Sequence, residues 1–445
     1  MTVDCFNPKI ETLSNEALDE IRGFKLKKQI SYVYERSPFY RKKMDEAGIN
    51  PRNFKGLEDL KHFPFTTKDE IRQSQVEFPP LGDYQAAQKK DIIRIHSSSG
   101  TTGRPSFVGI TSYDRDIWIE MAARAFYANG LRPDNVIIFA LAIGFFVGGL
   151  PSSAAIEKIG ATLVPVGTTS ERIVSSAQEL KADYLACTPS YAIYLAEYIK
   201  KNYNMDPSEL SIRQIHCGAE PGAGIPSIRS KIEGLWNAKV CEAMGNADMA
   251  PIIFGECEEQ EGMHFCGQEF IIPEIINPDT GKNLPIEDGV SGELIYTSVD
   301  RQSSPILRFR TRDHVVVWTK PCSCGRTSFR LRCIGRTDDM LIVLGVNVFP
   351  SAIKDVIASY APQTTGEIQI QLYEPGPSVK PPLHIKVEYG NKDQDLNALK
   401  QNLQNALRDK LIFHSKVELV PSGTLPRYEM KAKLIKKNYE EETNL

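Results

Sequence analysis

Residues 136–142, VIIFALA, open the stretch that decides the architecture. A short apolar run of this kind reads as a strand buried on both faces. A helix is expected over 113–128, with Ile117, Met121 and Ala125 on one face. After the apolar run come strand ATLVPV (161–166), helix 171–181, strand YLACT (184–188), helix 190–201, strand IRQIHCGA (212–219) and strand KVCEAMG (239–245). Strands separated by helices predict a parallel sheet covered on both faces. The Gly- and Pro-interrupted segment at Gly144, Gly148, Gly149 and Pro151 reads as a loop.

Working outward, the pattern changes at about residue 250 into β-rich hairpins: MHFCGQEFIIPEIINP (263–278), SGELIYTSV (291–299) and HVVVWTK (314–320), punctuated by PDTG and EDG turns. Beyond residue 338, strands MLIVLG (340–345), IQIQLY (368–373) and LHIKVEYG (383–390), with helix 395–411, make a βαβ-like α+β unit. Upstream the chain is helical, and FPFTTKDEIRQS (63–74) offers a capping box between Thr67 and Glu70. Residues 92–111, IIRIHSSSGTTGRPSFVGIT, are two β-prone runs around a polar tip, a hairpin. The expected fold is α/β. A large N-terminal domain, residues 1–337, has parallel-rich sheets covered by helices plus a β-rich subdomain, and a small α+β domain spans 338–445.

Composition bounds the function. The 445 residues are 41% hydrophobic and 24% charged, as in globular proteins rather than fibres or disordered chains. A net charge of -3 provides no field for nucleic acid or an anionic membrane, so any anionic ligand must be held by local groups. The uncharged stretch from Asn135 to Ile156 is too broken to span a bilayer. The N-terminus carries acidic residues where an export signal needs basic and then apolar ones. Nine scattered cysteines do not form a disulfide framework, and a cytoplasmic protein with reduced thiols is expected.

The hairpin tip is Ser97, Ser98, Ser99, Gly100, Thr101, Thr102, Gly103, Arg104 and Pro105. Its hydroxyls, glycines and successive N–H groups suit phosphate oxygens. It is not a Walker loop, because Pro105 is followed by the β-prone SFVGIT rather than by a helix. The order SSSGTTGRP resembles the phosphate loop of the adenylate-forming enzymes: acyl-coenzyme A synthetases, adenylation domains and luciferases. Within them, SPFYRKKMDEAGI (37–49), FPFTTKDEIR, FGECEEQEGMHF (254–265), ILRFRTRD (306–313), PCSCGRT (321–327) and GRTDDMLIVLGVNVFP (335–350) are similar to the phenylacetate-coenzyme A ligase family.

That resemblance spans nearly the whole chain and implies a two-step ligase with a mobile C-terminal lid. ATP and a carboxylic acid, aryl or arylacetic, give an acyl-adenylate, and the acyl group passes to coenzyme A. Such chemistry needs Mg²⁺, N–H groups and a cation around a phosphorus that gains charge. The implied catalytic residues are Lys431, Thr101 and Asp248, the last also a Mg²⁺ ligand. Gly218, Ala219, Glu220 and Pro221 are implied to face adenine, and Asp313 and Arg336 to hold ribose and phosphate. Asp338 would be the hinge, and Gly345 would lie beside the pantetheine arm. Taken alone, Asp313 would as readily make an ion pair with Arg310 or Arg312. Ala142, Phe145, Phe146, Gly148 and Gly149 are the expected acyl pocket, two aromatics beside glycines suiting a flat ring. The same phenylalanines would serve equally as core.

Some positions depart from the family pattern. The segment Met244, Gly245, Asn246, Ala247, Asp248 stands where Tyr-Gly-x-Ser/Thr-Glu is usual, and Met430 stands where a glycine precedes the lysine. Asp248 reaches one methylene less than Glu, and Ala247 lacks a hydroxyl that Asn246 or water would have to replace. A carrier-protein phosphopantetheine or an amine is the alternative acceptor. A degenerate nucleotide-binding protein without ligase activity is the alternative of another class. A homodimer agrees with the resemblance without being required by any residue. Cys322 and Cys324 on one turn, with Cys257 and His264 flanking a hairpin turn, form a Cys₃His set suited to structural zinc. Cys266 and Cys333 are rival ligands, small buried thiols are the alternative, and structural zinc is the expectation.

Overall fold

The computed structural model describes residues 3–97, 106–343, 346–374, 377–390, 395–427 and 433–441. Ser98 to Gly103 of the phosphate loop, Gly345, Met430 and Lys431 lie outside the described residues. The N-terminal part begins with helices, of which Asn15–Arg36 and Lys68–Glu77 matter most for the site. The expected capping box is present: Thr67 Oγ1 accepts from Glu70 N, while Glu70 accepts from Thr67 N at 2.7 Å. Strands β1 (Arg94–Ser97) and β2 (Phe107–Ile110) pair antiparallel, with Ser97 opposite Phe107, as the hairpin expected around the phosphate loop.

The strands that follow are β3 (Val136–Phe139), β4 (Thr162–Val164), β5 (Tyr184–Cys187), β6 (Gln214–Cys217), β7 (Lys239–Asn246), β8 (Ala250–Glu256), β9 (Met263–Phe265), β10 (Ile271–Ile276), β11 (Asn283–Leu284), β12 (Ser291–Ser298), β13 (Phe309–Trp318) and β14 (Arg330–Arg336). They form one 12-stranded sheet ordered β11-β10-β12-β13-β14-β9-β8-β7-β6-β5-β3-β4. From β4 to β7 every pairing is parallel, and from β7 to β11 every pairing is antiparallel. Helices Ser112–Ala128 and Gly149–Ile159 cover one face of the parallel half, packing Phe126, Ile156 and Phe139 together. Helices Ser170–Glu179, Pro189–Tyr203 and Pro226–Trp236 cover the other with Val174, Leu195, Ile232 and Trp236.

Two of these helices, Gly149–Ile159 and Pro226–Trp236, were not expected from the sequence, the first where a loop reads. Each carries Pro in its first turn, Pro151 and Pro226. There a proline's missing N–H would have no intrahelical partner anyway, so it starts a helix rather than breaking one.

The C-terminal unit has its own core of Leu341, Ile353, Ile370, Val387, Leu403 and Phe413. Here β15 (Leu341–Val343), β16 (Val346–Val348) and β18 (Ser378–Val379) form a small sheet. Strands β17 (Thr364–Leu372), β19 (Leu383–Tyr389), β20 (Ser415–Pro421) and β21 (Ile435–Lys437) form a second, ordered β20-β19-β17-β21. Helix Leu396–Leu411 makes the crossover between parallel β19 and β20. This unit meets helix Pro226–Trp236, where Ser227 Oγ donates to Asp355 Oδ1 at 2.6 Å and Lys231 Nζ to Thr365 O at 2.7 Å. Among the described residues no helix is long and apolar enough to cross a membrane.

β7 carries a buried carboxyl that bears on the site. Glu242 lies under the loop after β6, so close that a Cβ on Gly224 would come within 2.2 Å of its Oε2. Its neighbour Glu256 is satisfied by Arg229 at 2.5 Å and by the Glu242 N–H at 2.8 Å. Burial, together with the charge of Glu256, pushes the Glu242 carboxyl up to about 7. A carboxyl raised in the folded state contributes stability that is complete below its ordinary pKa and is lost as pH rises through 7. Glu242→Gln is expected to gain about 2–3 kcal/mol on the native protein between pH 5 and pH 8. Denaturant melts at the two pH values check this, and parallel pH profiles for the two proteins would refute it.

Candidate active site

In a parallel sheet, ligands gather beyond the carboxyl ends of the strands, where backbone groups and loops converge. The loops after β3 and β6, and the end of β7, carry the expected acyl, adenine and phosphate residues. After β3, Ala142 and Phe145 are exposed, Phe146 is half-buried and Val147 is buried. The backbone docks on β1: Ser97 N donates to Phe145 O at 3.0 Å, and Ser97 bridges Phe146. The Phe145 ring is 54% exposed and lies 6.0 Å from the ring of Phe107. The expected acyl loop and the strand leading into the expected phosphate connector, residues 98–105, are thus joined at Ser97.

After β6, Gly218 N donates to Cys187 O at 3.3 Å, and Ala219 takes a left-handed φ of 71°. Such a conformation is uncommon for a residue with a Cβ and marks a segment held by its surroundings. Part of the hold is Glu220, whose buried carboxylate accepts from Ser190 N at 2.8 Å at the start of helix Pro189–Tyr203. Anions are favoured at that end of a helix. Beneath the loop, His216 stacks on Phe126 with ring centroids 4.1 Å apart, and burial pushes its imidazole down to about 3. His216 is therefore a neutral part of the floor.

At the end of β7 the ladder with β8 shifts register between Met244 and Asn246. A Cβ on Gly245 would lie 1.9 Å from Pro251 O, so only glycine passes this bend. Asn246 then forms a turn, its Oδ1 accepting from Asp248 N and its O from Met249 N, both at 3.0 Å. That oxygen is thus committed to the turn, which bears on how it could stand in for the hydroxyl that Ala247 lacks. Asp248 is 5% exposed. Its two oxygens lie 2.5 and 2.6 Å from Lys68 Nζ, which also donates to Ser106 Oγ at 2.5 Å.

Lys68 is the residue that the sequence reading missed. It opens helix Lys68–Glu77, where a cation runs against the helix dipole. In the motif FPFTTKDEIR the capping box drew attention to Thr67 and Glu70. The telling signal was the lysine between them. Because Ser106 follows the phosphate connector directly, the Lys68 ammonium links the connector's end to the carboxylate expected to bind Mg²⁺. The donor chemistry fits that ion, a hard carboxylate beside the end of the expected phosphate connector, with Lys68 as its present counterion.

Asp313 and Arg336 face each other across β13 and β14, with Arg336 Nη1 3.2 Å from Asp313 Oδ1. Among the described residues, no ion pair of Asp313 with Arg310 or Arg312 forms. Burial alternates along β13, so Asp313 and Thr311 share the inner face while Arg310 and Arg312 take the other. Arg310 instead meets Glu293 at 2.5 Å. Arg336 also donates from Nε and Nη2 to both oxygens of Asp338, each at 2.8 Å. Burial opposes its charge, but these carboxylates outweigh that and raise its pKa above the ordinary arginine value. Asp338 itself is exposed in the turn after β14.

Apart from these residues, Cys257, His264, Cys322 and Cys324 come together with their ligand atoms all within 4.8 Å of one another. Cys257 Sγ is 3.7 Å from Cys322 Sγ, and Cys324 Sγ is 3.3 Å from His264 Nε2. His264 Nδ1 lies 3.3 Å from Ser328 Oγ, an outer partner of the kind that orients a ligating imidazole. The rivals sit elsewhere: Cys266 Sγ is on His264 O, and Cys333 Sγ is on Gly335 O.

Comparisons with known proteins agree with the fold. The family model described as AMP-binding enzyme matches residues 12–299, and that of the AMP-binding enzyme C-terminal domain matches 345–438. The phenylacetate-coenzyme A ligase of Thermus thermophilus is 37% identical over 443 residues, covering 95% of this chain and 97% of that protein. That of Escherichia coli is 33% identical over 437 residues, covering 96% and 97%. A crystal structure of 2-hydroxyisobutyryl-CoA ligase in the postadenylation state superposes with a TM-score of 0.89 at 28% identity, covering 98% of this chain and 94% of that one. This chain belongs to the AMP-binding enzyme family, beside the phenylacetate-coenzyme A ligases.

Proposed function

We propose that this protein uses ATP to activate an aryl or arylacetic acid as its acyl-adenylate, releasing pyrophosphate, and then transfers the acyl group to the thiol of coenzyme A. The observation that carries this reading is the chain Ser106–Lys68–Asp248, an ammonium and a carboxylate joined to the end of the phosphate connector. Its support is membership of a family whose curated relatives are phenylacetate-coenzyme A ligases. Those relatives and the flat, half-exposed Phe145 beside Phe146 favour an aromatic acid.

In the adenylation step a carboxylate oxygen bonds to the α-phosphorus and the bond to the bridging oxygen of pyrophosphate breaks. No protein nucleophile is needed, so the side chains position groups and neutralise charge. Mg²⁺, held by Asp248, would supply charge neutralisation at the phosphate oxygens. The hydroxyls of Ser97, Ser98, Ser99, Thr101 and Thr102, with the N–H groups of Gly100 and Gly103, would cradle the phosphates. Lys68 would turn from Asp248 towards them. Asp313 would accept from the ribose hydroxyls, with Arg336 holding it in place, and Gly218 to Pro221 with Met244 and Gly245 would face the base. Lys431 would bridge the reacting carboxylate and the α-phosphate as a compact cation. We take 338–445 as a lid that turns about Asp338, a motion that would reorganise the Arg336–Asp338 pair. A cytoplasmic setting fits nine unpaired cysteines.

We further assign Zn²⁺ to Cys257, His264, Cys322 and Cys324, a closed Cys₃His set with no position left for chemistry. It would tie the β8–β9 hairpin to the 321–327 loop, which in turn holds the N-terminal segment through Arg326 and Glu11 at 2.9 Å.

Pyrophosphate exchange with a panel of aromatic, heteroaromatic and aliphatic acids tests the reaction. Exchange is expected to require an acid and to fall about 10²–10³-fold in Lys431→Ala while ATP binding persists. Equal turnover in the variant would remove Lys431 from the mechanism, and tight ATP binding without exchange for any acid would favour the degenerate nucleotide binder. For the metal, elemental analysis of protein made in zinc-supplemented medium should find one equivalent, absent from Cys322→Ser, whose melting temperature should drop by about 5 °C or more. A metal-free native protein with unchanged melting would end the zinc assignment.

A further inference from the structure

Arg301 sits behind the proposed Mg²⁺ site and belongs to none of the motifs above. The residue is 5% exposed, and its Nε and Nη2 are buried without a hydrogen-bond partner among the described residues. Nη1 is engaged twice, donating to Asp248 O at 2.6 Å and Met249 O at 2.7 Å. The guanidinium lies over Trp118, 5.3 Å from the ring centroid, and lines a small cavity with Asp114, Met121 and Ser298. Its main chain is clamped by Gln29 of helix Asn15–Arg36. Gln29 Nε2 donates to Arg301 O at 2.9 Å, and Arg301 N donates to Gln29 Oε1 at 3.0 Å.

A buried guanidinium with most of its donors unused is costly, and an apolar side chain would serve packing better. The two bonds that it does make fall on successive carbonyls of the turn that carries Asp248. On the turn's inner side, Asn246 supplies the Asx bond to Asp248 N. The peptide at 248 is therefore fixed from within by Asn246 and from behind by Arg301. This matters more for Asp than for the Glu usual here. A side chain one methylene shorter cannot make up a misplaced backbone by changing rotamer, so its reach is set by where its Cα is held.

We propose that Arg301, braced by Gln29, is a positioning residue that sets where the Asp248 carboxylate meets the Mg²⁺ of the bound nucleotide. The inference rests on the adenylation reading for its nucleotide, yet it is testable without turnover.

The test is calorimetric titration of the full chain with ATP, with and without Mg²⁺, for the wild type, Arg301→Met, Arg301→Lys and Gln29→Leu. Arg301→Met is expected to cut the affinity gain that Mg²⁺ confers about tenfold while metal-free ATP binding stays within about twofold. Arg301→Lys should restore part of the gain, and Gln29→Leu should lose an intermediate part. Where exchange is measurable, the Mg²⁺ concentration for half-maximal rate should rise while KM for the acid holds. An undiminished Mg²⁺ gain in folded Arg301→Met, equal losses with and without Mg²⁺, or no Mg²⁺ gain in the wild type would each overturn the inference. If Arg301→Met fails to fold, Arg301→Lys and Gln29→Leu decide by the same criterion. Should no acid support exchange while the Mg²⁺ gain still falls in the variants, the ligase reading fails and the role of Arg301 stands.

Discussion

The rest of the site hangs on the bend at Gly245, where one strand serves two kinds of sheet. β7 pairs parallel with β6 and antiparallel with β8. To turn from one regime into the next, its backbone passes so close to Pro251 that no side chain fits. Parallel strands deliver their loops to one end of the sheet, and antiparallel strands return the chain to it. Because β6 and β7 run parallel, the loop after β6, proposed to face adenine, and the Asp248 turn lie at a common edge, and the bend at Gly245 shapes that turn.

Charge at that edge is arranged by burial rather than by net field. The chain is nearly neutral overall, so attraction for a triphosphate must come from individual cations held at this edge. Lys68 is held against the helix dipole at the first position of its helix by the carboxylate of Asp248. Arg301 is held behind the same turn by Gln29. Arg336 is shared by Asp313 and Asp338, which links the proposed ribose side of the site to the start of the C-terminal unit. Each cation has a carboxylate or a pair of carbonyls that holds it at this edge, from which Lys68 alone would turn. Such preorganisation is what phosphoryl chemistry exploits, since little covalent work falls to the protein.

Much of this was legible in the sequence, for identifiable reasons. Apolar runs such as VIIFALA and YLACT report strands buried on both faces, and PDTG and EDG report turns, because both signals are local. The Cys₃His donors were legible because metal ligands must be of a few types and because the Cys-x-Cys turn brings two of them together unaided. Helices Gly149–Ile159 and Pro226–Trp236 were lost to a proline that starts a helix as readily as it ends one. Spacing alone left the ion-pair partner of Asp313 open, because near neighbours in sequence point to opposite faces of a strand, and the arginine that reaches it comes from the next strand.

The amino-acid sequence by itself determined most of the order of elements, the hairpin around the expected phosphate connector, the family, and which residue types were available for phosphate, ribose and metal. These follow from periodicity, turn chemistry and donor identity, which act over a few residues. Only the tertiary structure decided that Lys68 meets Asp248 across 180 positions, and that Arg301, 53 positions from Asp248, grips its turn while Gln29 grips Arg301. Those pairings come from how the N-terminal helices and the 12-stranded sheet close on one another, and no local pattern encodes the distance between two side chains brought together by packing.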